Sequence, residues 1–176
     1  MSIVFRCLLV ALSCALCAAL IGGSSPRPHR VPHTPLEHLA ETIARADHAV
    51  VYHLDPDDPA AMVTVDDPHP ERIFAITNEG GLIRARRALD HDGSQALLEA
   101  LSDLLYAPPG DQAACHEPRW GVEVYAADGT QIFRSSLCFA CSNYEFFLDG
   151  NERCNAMPAG SVKAHLKNVL TACMDP

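Results

Sequence analysis

Cys138 and Cys141 stand three positions apart in Leu137-Cys138-Phe139-Ala140-Cys141-Ser142, and Cys115 is followed directly by His116. Three chemistries use thiols at such spacings. A C-x-x-C pair exchanges disulfides when it opens a helix, whose N-terminal partial charge favours the thiolate. It supplies half of a zinc site when two further donors arrive, and Cys115, His116, Cys138 and Cys141 would make a Cys₃His set. In an oxidising compartment, cysteines become cross-links instead.

The local sequence discriminates among these. After Cys141 the chain reads Ser-Asn-Tyr-Glu-Phe-Phe-Leu-Asp-Gly, a strand ending in a turn, and no Lys or Arg lies between Cys138 and Asn151. A thiol oxidoreductase using Cys138 and Cys141 would therefore lack both the helix and the local cation. The zinc reading lacks a second C-x-x-C knuckle. The cross-link reading depends on where Cys115 arrives.

That is decided by Arg119-Trp120-Gly-Val-Glu-Val-Tyr and Gln131-Ile-Phe-Arg-Ser-Ser-Leu137, two alternating runs around Asp128-Gly129, which predict a hairpin. A two-residue Asp-Gly loop sets Trp120, Val122 and Val124 opposite Leu137, Ser135 and Phe133, with Glu123 opposite Arg134. A three-residue loop mixes apolar and charged faces, and a one-residue slip forfeits every such pair together. The two-residue loop is therefore expected. Extrapolated past Pro118, which cannot donate to a ladder, either register brings Cys115 within one position of Cys141. A Cys115–Cys141 disulfide is the expectation, with Cys138 a free thiol. Geometry also permits a second bridge, Cys154–Cys173. The final helix rises ~1.5 Å per residue, and Asn155 to Gly160 are long enough to run back along it. Without that bridge, Cys173 is a buried apolar thiol and Cys154 an exposed one.

Other chemistry is absent from the pattern. No G-x-S-x-G, H-E-x-x-H, G-x-x-x-x-G-K or G-x-G-x-x-G occurs. Asp55, Asp57, Asp58, Asp66 and Asp67 are interrupted by prolines and do not form a calcium loop. His53, His91 and His165 are isolated, and of His29, His33 and His38 the first two sit among prolines, so a solvated linker is read rather than a metal site. No catalytic residue, cofactor-binding residue or metal ligand is assigned, and no cofactor is expected.

The elements that must position the cysteines follow from periodicity. Thr34 with Glu37 is a capping box, and Leu36, Leu39, Ala40 and Ile43 line one helical face. Ala49 to Leu54 is a β-branched strand. Arg72 to Leu89 gives two strand-like halves around Asn-Glu-Gly-Gly; the second carries Arg84, Arg86 and Arg87, read as a solvated strand edge rather than an anion site. Asp92 with Gln95 caps a second helix striped by Leu97, Leu98, Leu101, Leu104 and Leu105, and Ser161 caps a third through Val162, Leu166, Val169, Leu170 and Cys173. The expected fold is α+β, an antiparallel sheet of about five strands with helices packed on one face.

The chain has 176 residues and a net charge of −9. An acidic chain is repelled by phosphate backbones, so no nucleic-acid partner is expected. Arg6 followed by an uncharged apolar run, Cys7 to Gly23, reads as a secretory signal peptide over residues 1–24. Residues 25–33 then form a Pro-rich disordered linker and 34–176 a single domain. Membrane contact is expected only through an uncleaved signal; a lipoprotein form is disfavoured because Leu12 and Leu16 are bulky where such signals want compact residues. Removing the signal takes three of the eight cysteines and leaves five, so at least one thiol is unpaired.

Two stretches, Cys115-His-Glu-Pro118-Arg119-Trp120-Gly121 and Cys138-Phe139-Ala140-Cys141, together with Ala49-Val-Val-Tyr-His-Leu-Asp-Pro upstream, resemble an uncharacterised family of small exported bacterial proteins with a C-x-x-P-R-x-G … C-F-x-C pattern. The resemblance covers roughly Ala49 to Phe147. It implies export and a common fold, and carries over Cys115, Pro118, Arg119, Gly121, Cys138, Phe139 and Cys141 as pattern positions. Trp120 stands where a His is expected, and if that His were a ligand its replacement would argue against metal here. The functional expectation is an exported, disulfide-stabilised binding module of the cell envelope with a protein or other envelope partner. A thiol oxidoreductase or a zinc-binding domain are the alternatives.

Overall fold

A computed structural model describes residues 34–57, 72–76, 80–111 and 115–175. The signal, the linker and most of the acidic Pro-rich loop, including Asp58, Asp66 and Asp67, lie outside the described residues. Helix α1 (Pro35–Ile43) opens on the expected capping box, Thr34 and Glu37 each bonding the other's backbone. Strands β1 (His48–Asp55), β2 (Ile73–Ala75) and β3 (Gly80–Ala88) lead into α2 (His91–Tyr106). Then come β4 (Trp120–Tyr125), β5 (Gln131–Cys138), β6 (Asn143–Leu148), β7 (Asn151–Ala156) and α3 (Ser161–Met174). Two caps differ from expectation. Asp90, not Asp92, caps α2 by accepting from the Gly93 N–H, and α3 starts from Gly160 without a side-chain cap.

The strands form one antiparallel sheet in the order β2-β3-β1-β4-β5-β6-β7. The class is α+β as expected, but the sheet has seven strands rather than about five. The strand whose own residues give no sequence signal is β7. Asp149 and Gly150 both take positive φ (52° and 73°), a tight turn whose twist suits a hairpin, and the chain returns along β6. Its sequence, Asn-Glu-Arg-Cys-Asn-Ala, shows no apolar alternation because an edge strand exposed on both sides needs none.

Ala49 and Val51 (β1), Val122 and Val124 (β4), Phe133 and Leu137 (β5) and Tyr144 and Phe146 (β6) share one core with the helices. From α2 come Leu97, Leu98, Leu101 and Leu104, each no more than 1% exposed. A fully buried leucine is worth about 1.5–3 kcal/mol over an exposed one, so α2 anchors the helical layer. It packs between α1 and α3 and also touches β1. The opposite face has its own smaller core of Val50, Tyr52, Leu54, Phe74 and Ile76. There Phe74 lies directly over Gly121, where a Cβ would come within 2.8 Å of three ring atoms.

The β4–β5 hairpin combines both registers considered. The strands pair as expected, with Trp120, Val122, Glu123 and Val124 opposite Leu137, Ser135, Arg134 and Phe133. At the tip, however, the loop has three residues. The Gly129 N–H donates to Ala126 O, the Ala126 N–H to Thr130 O, and Gly129 has φ 83°. A bulge between Val124 and Tyr125 then restores the register that keeps the faces separate.

Candidate functional site

The cysteines named by the sequence meet where β5 turns into β6. Cys138 ends β5 and pairs with Asn143 across a four-residue loop. The Cys138 Sγ accepts from the Cys141 N–H at 3.2 Å, and Ser142 takes φ 56° to close the loop. Cys141 is joined to Cys115 in a disulfide with Cα atoms 5.8 Å apart. Pro118 keeps residues 115–118 off the ladder, which resumes where Arg119 O accepts from the Leu54 N–H just before β4 begins at Trp120, and the segment crosses the end of the sheet.

His116, beside the disulfide, is held inside the fold with its side chain 3% exposed. Its Nδ1 lies 2.7 Å from Asn143 Oδ1, its Nε2 2.8 Å from Ser136 Oγ and 3.7 Å from Glu145 Oε2. The Asn143 amide NH₂ donates to Cys115 O at 2.6 Å, so the oxygen of the same amide faces the imidazole. In the neutral ring the proton then sits on Nδ1, and Nε2 accepts from the Ser136 hydroxyl. Serine, imidazole and orienting amide are the parts of a nucleophile activated by a base. Ser136 is 0% exposed, however, and has no route to a substrate. The trio ties the Cys115 segment onto β5 and β6, satisfying three buried polar groups together.

The donors of the zinc alternative are engaged elsewhere. The Cys115 and Cys141 sulfurs are bonded to each other, both His116 nitrogens face partners within the sheet, and no metal-holding cluster of three or more such side chains occurs among the described residues. The C-x-x-C redox pair is also not closed, because Cys141 is bonded to Cys115 while Cys138 stays a buried free thiol. No helix follows the pair, as the sequence indicates. A cation from a distant element reaches the next residue: Lys163 on α3 donates to Ser142 Oγ at 2.5 Å. The Cys154–Cys173 bridge is a correction. Cys154 sits exposed on edge strand β7 opposite Glu145, Cys173 is half-buried on α3, and neither is in a disulfide. Pairing with β6 holds Cys154 to the sheet, and the Met157 N–H bond to Ser142 O fixes the exit of the chain from β7. Burial pushes the Cys173 thiol pKa up.

On the outer side of the staple lies a pocket of about 270 Å³, lined by Glu117, Arg119, Trp120, Phe139, Ala140 and Lys167. Trp120 tilts against the His53 ring at 5.4 Å. Asp57 accepts from Arg119 at 2.7 Å and holds that guanidinium charged, with its pKa raised. Lys167 has no carboxylate partner among the described residues. The basic cluster of β3 makes no comparable site. Arg84 bonds Asp55, Arg86 bonds the Tyr52 hydroxyl and Arg87 reaches Asp175 O, so the three guanidiniums are spread over separate partners.

The fold and site together define a class: an α+β domain whose seven-stranded sheet is covered by helices on one face and stapled by one disulfide beside a small aromatic, cationic pocket. Comparison with known protein families, curated proteins and solved structures finds no match.

Proposed function

We propose that this protein is an exported, non-enzymatic binding module of the cell envelope, and that it takes its ligand in the pocket beside the Cys115–Cys141 staple. The observation that carries this reading is the origin of the lining. Three segments far apart in sequence supply it: the Cys115–Trp120 crossing, the β5–β6 loop and α3. The disulfide holds the first two together. Such preorganisation lowers the ordering cost of binding. Trp120 and Phe139 offer flat apolar walls, Arg119 is paired with Asp57, and Lys167 brings a charge with no carboxylate partner among the described residues. The fitting ligand is a small organic anion with a planar or apolar body.

Export rests on the apolar Cys7–Gly23 run and on the disulfide, which belongs to an oxidising compartment. The same reading takes the chain as a member of the C-x-x-P-R-x-G … C-F-x-C family. Six of the seven pattern positions have work here: Cys115 and Cys141 form the staple, Gly121 makes room for Phe74, Cys138 ties the loop, and Arg119 and Phe139 line the pocket.

Trp120 is the chain's one tryptophan, so its fluorescence reports the pocket directly. Phenylacetate should change the emission saturably, phenethylamine should not, and Lys167→Glu should weaken phenylacetate binding about tenfold, or ~1.4 kcal/mol. An unresponsive Trp120, or equal response to the cation, would sink this assignment of the pocket.

A further inference from the structure

We infer that Cys138, Cys141 and Cys115 form an internal thiol–disulfide exchange unit, in which the bond moves from Cys115–Cys141 to Cys138–Cys141. This goes beyond the binding reading and does not depend on it. Cys138 is 1% exposed and unpaired, yet its sulfur lies 3.2 Å from the backbone nitrogen of Cys141. The Cys141 Sγ is only three bonds from that nitrogen, so side-chain rotation suffices to bring the two sulfurs together. Two residues, Phe139 and Ala140, separate the pair, a spacer that thiol–disulfide enzymes use for a closed C-x-x-C ring.

The leaving group is placed to leave. Cys115 is the exposed member of the three; Asn143 and His116 keep its backbone on the sheet, so once released the sulfur swings away by side-chain rotation alone. Lys163 at Ser142 sets a positive charge beside the loop where the attacking thiolate forms. In the step, the Cys138 thiolate attacks the Cys141 Sγ. The Cys138–Cys141 bond forms as the Cys141–Cys115 bond breaks, the electron pair departs on the Cys115 sulfur, and that sulfur takes up the proton Cys138 gave to solvent. One disulfide and one thiol are present before and after, so no oxidant or reductant is consumed.

The step changes what the surface presents. With the bond on Cys115, the segment carrying Glu117 and Arg119 is stapled and Cys115 presents no thiol. With the bond on Cys138, a reactive Cys115 thiol faces solvent, open to exchange with a small-molecule disulfide or with an exposed disulfide of another protein.

The test uses the full-length protein carrying Cys154→Ser and Cys173→Ser, incubated natively at pH 8 with iodoacetamide, acid-quenched over hours and mapped without reduction. Alkylated Cys115 together with an intact Cys138–Cys141 cross-link should accumulate. Its rate should be independent of protein concentration and unchanged in sub-denaturing urea. Lys163→Gln should slow it severalfold, and Cys138→Ala or Cys138→Ser should abolish it. A persistent Cys115–Cys141 peptide with unmodified Cys115 overturns the proposal. So does a rate that climbs with urea, which would route the exchange through the unfolded chain, or one that rises with protein concentration.

Discussion

Replacing Gly121 by alanine presses on the tightest contact in the sheet. The new methyl would lie 2.8 Å from three atoms of the Phe74 ring, a separation that something must relieve. The ring has little room to give. It is 1% exposed, tilted against Tyr52 at 4.8 Å and covered by the Arg134 guanidinium at 4.4 Å. Overpacking a site of this kind costs about 1–3 kcal/mol. Removing a strand glycine gives back about 0.5–1 kcal/mol. A net loss of about 1–2 kcal/mol is expected from Gly121→Ala alone. Phe74→Ala should cost about 3–5 kcal/mol by emptying the site. In that background the Gly121 methyl meets vacant space, and the second substitution should stabilise by up to about 1 kcal/mol. The double variant should thus be more stable than the sum of the two changes by about 1–3 kcal/mol, above the ~0.5 kcal/mol within which independent sites add. Urea unfolding of the four proteins, with m-values compared, measures this. Additive losses, or a harmless Gly121→Ala in the wild type, would refute the contact and with it this account of the motif glycine.

Cys115→Ser opens a bridge spanning 26 positions, and the loop-entropy model puts the loss at about 3.5 kcal/mol; melting together with wild type under non-reducing conditions would contradict it. Alkaline pH should also destabilise. Burial first, then the Glu123 carboxylate accepting its hydroxyl at 2.7 Å, pushes the Tyr125 pKa up to about 12, and the same causes raise Tyr52. The folded state therefore holds the phenolic proton more tightly than the unfolded chain. The stabilisation is complete below about pH 10 and is lost as pH rises towards about 12. Two pKa units would be nominally ~2.7 kcal/mol, and solvent screening of this partly exposed ring brings the expectation to about 1–2 kcal/mol. Tyr125→Phe should flatten the decline in melting temperature over that window, and an unchanged decline would place its cause elsewhere.

The parts of the fold that could be read from sequence are those where a buried face imposes a period. The α2 leucines and the β4–β5 pairing are such parts, because a slip in either would expose a whole row of apolar side chains. Where no face is buried on a schedule, the signal vanishes. Strand β7 is exposed along Asn151 to Cys154, so its residues carry no alternation, and only Asp149-Gly150 marks its start. The hairpin tip was ambiguous for a related reason. Asp128-Gly129 suits both a two-residue loop and a three-residue loop with glycine last, and the bulge that follows lets the same strand register accept the longer one.

The site divides along the same line. Register alone carried Cys115 to within one position of Cys141, so the cross-link was within reach of sequence reasoning. His116 was weighed as a metal donor because it adjoins a cysteine, yet its partners could have been sought from the same register. Ser136, Asn143 and Glu145 are alternate positions on neighbouring strands, on the face away from the helices. Three polar side chains buried there require hydrogen-bonding partners, and an imidazole entering beside Cys115 supplies two ring nitrogens at that spot. What sequence could not supply is α3. Lys163 and Lys167 share a helical face by their spacing of four, but nothing in that spacing says the helix lies against the β5–β6 loop. That placement follows from Leu166 and Leu170, 0% exposed in the helical layer's core, which hold the helix so that one lysine reaches Ser142 and the other the pocket. The cation missing from the residues around Cys138 and Cys141 is thus delivered to the neighbouring Ser142 by tertiary packing.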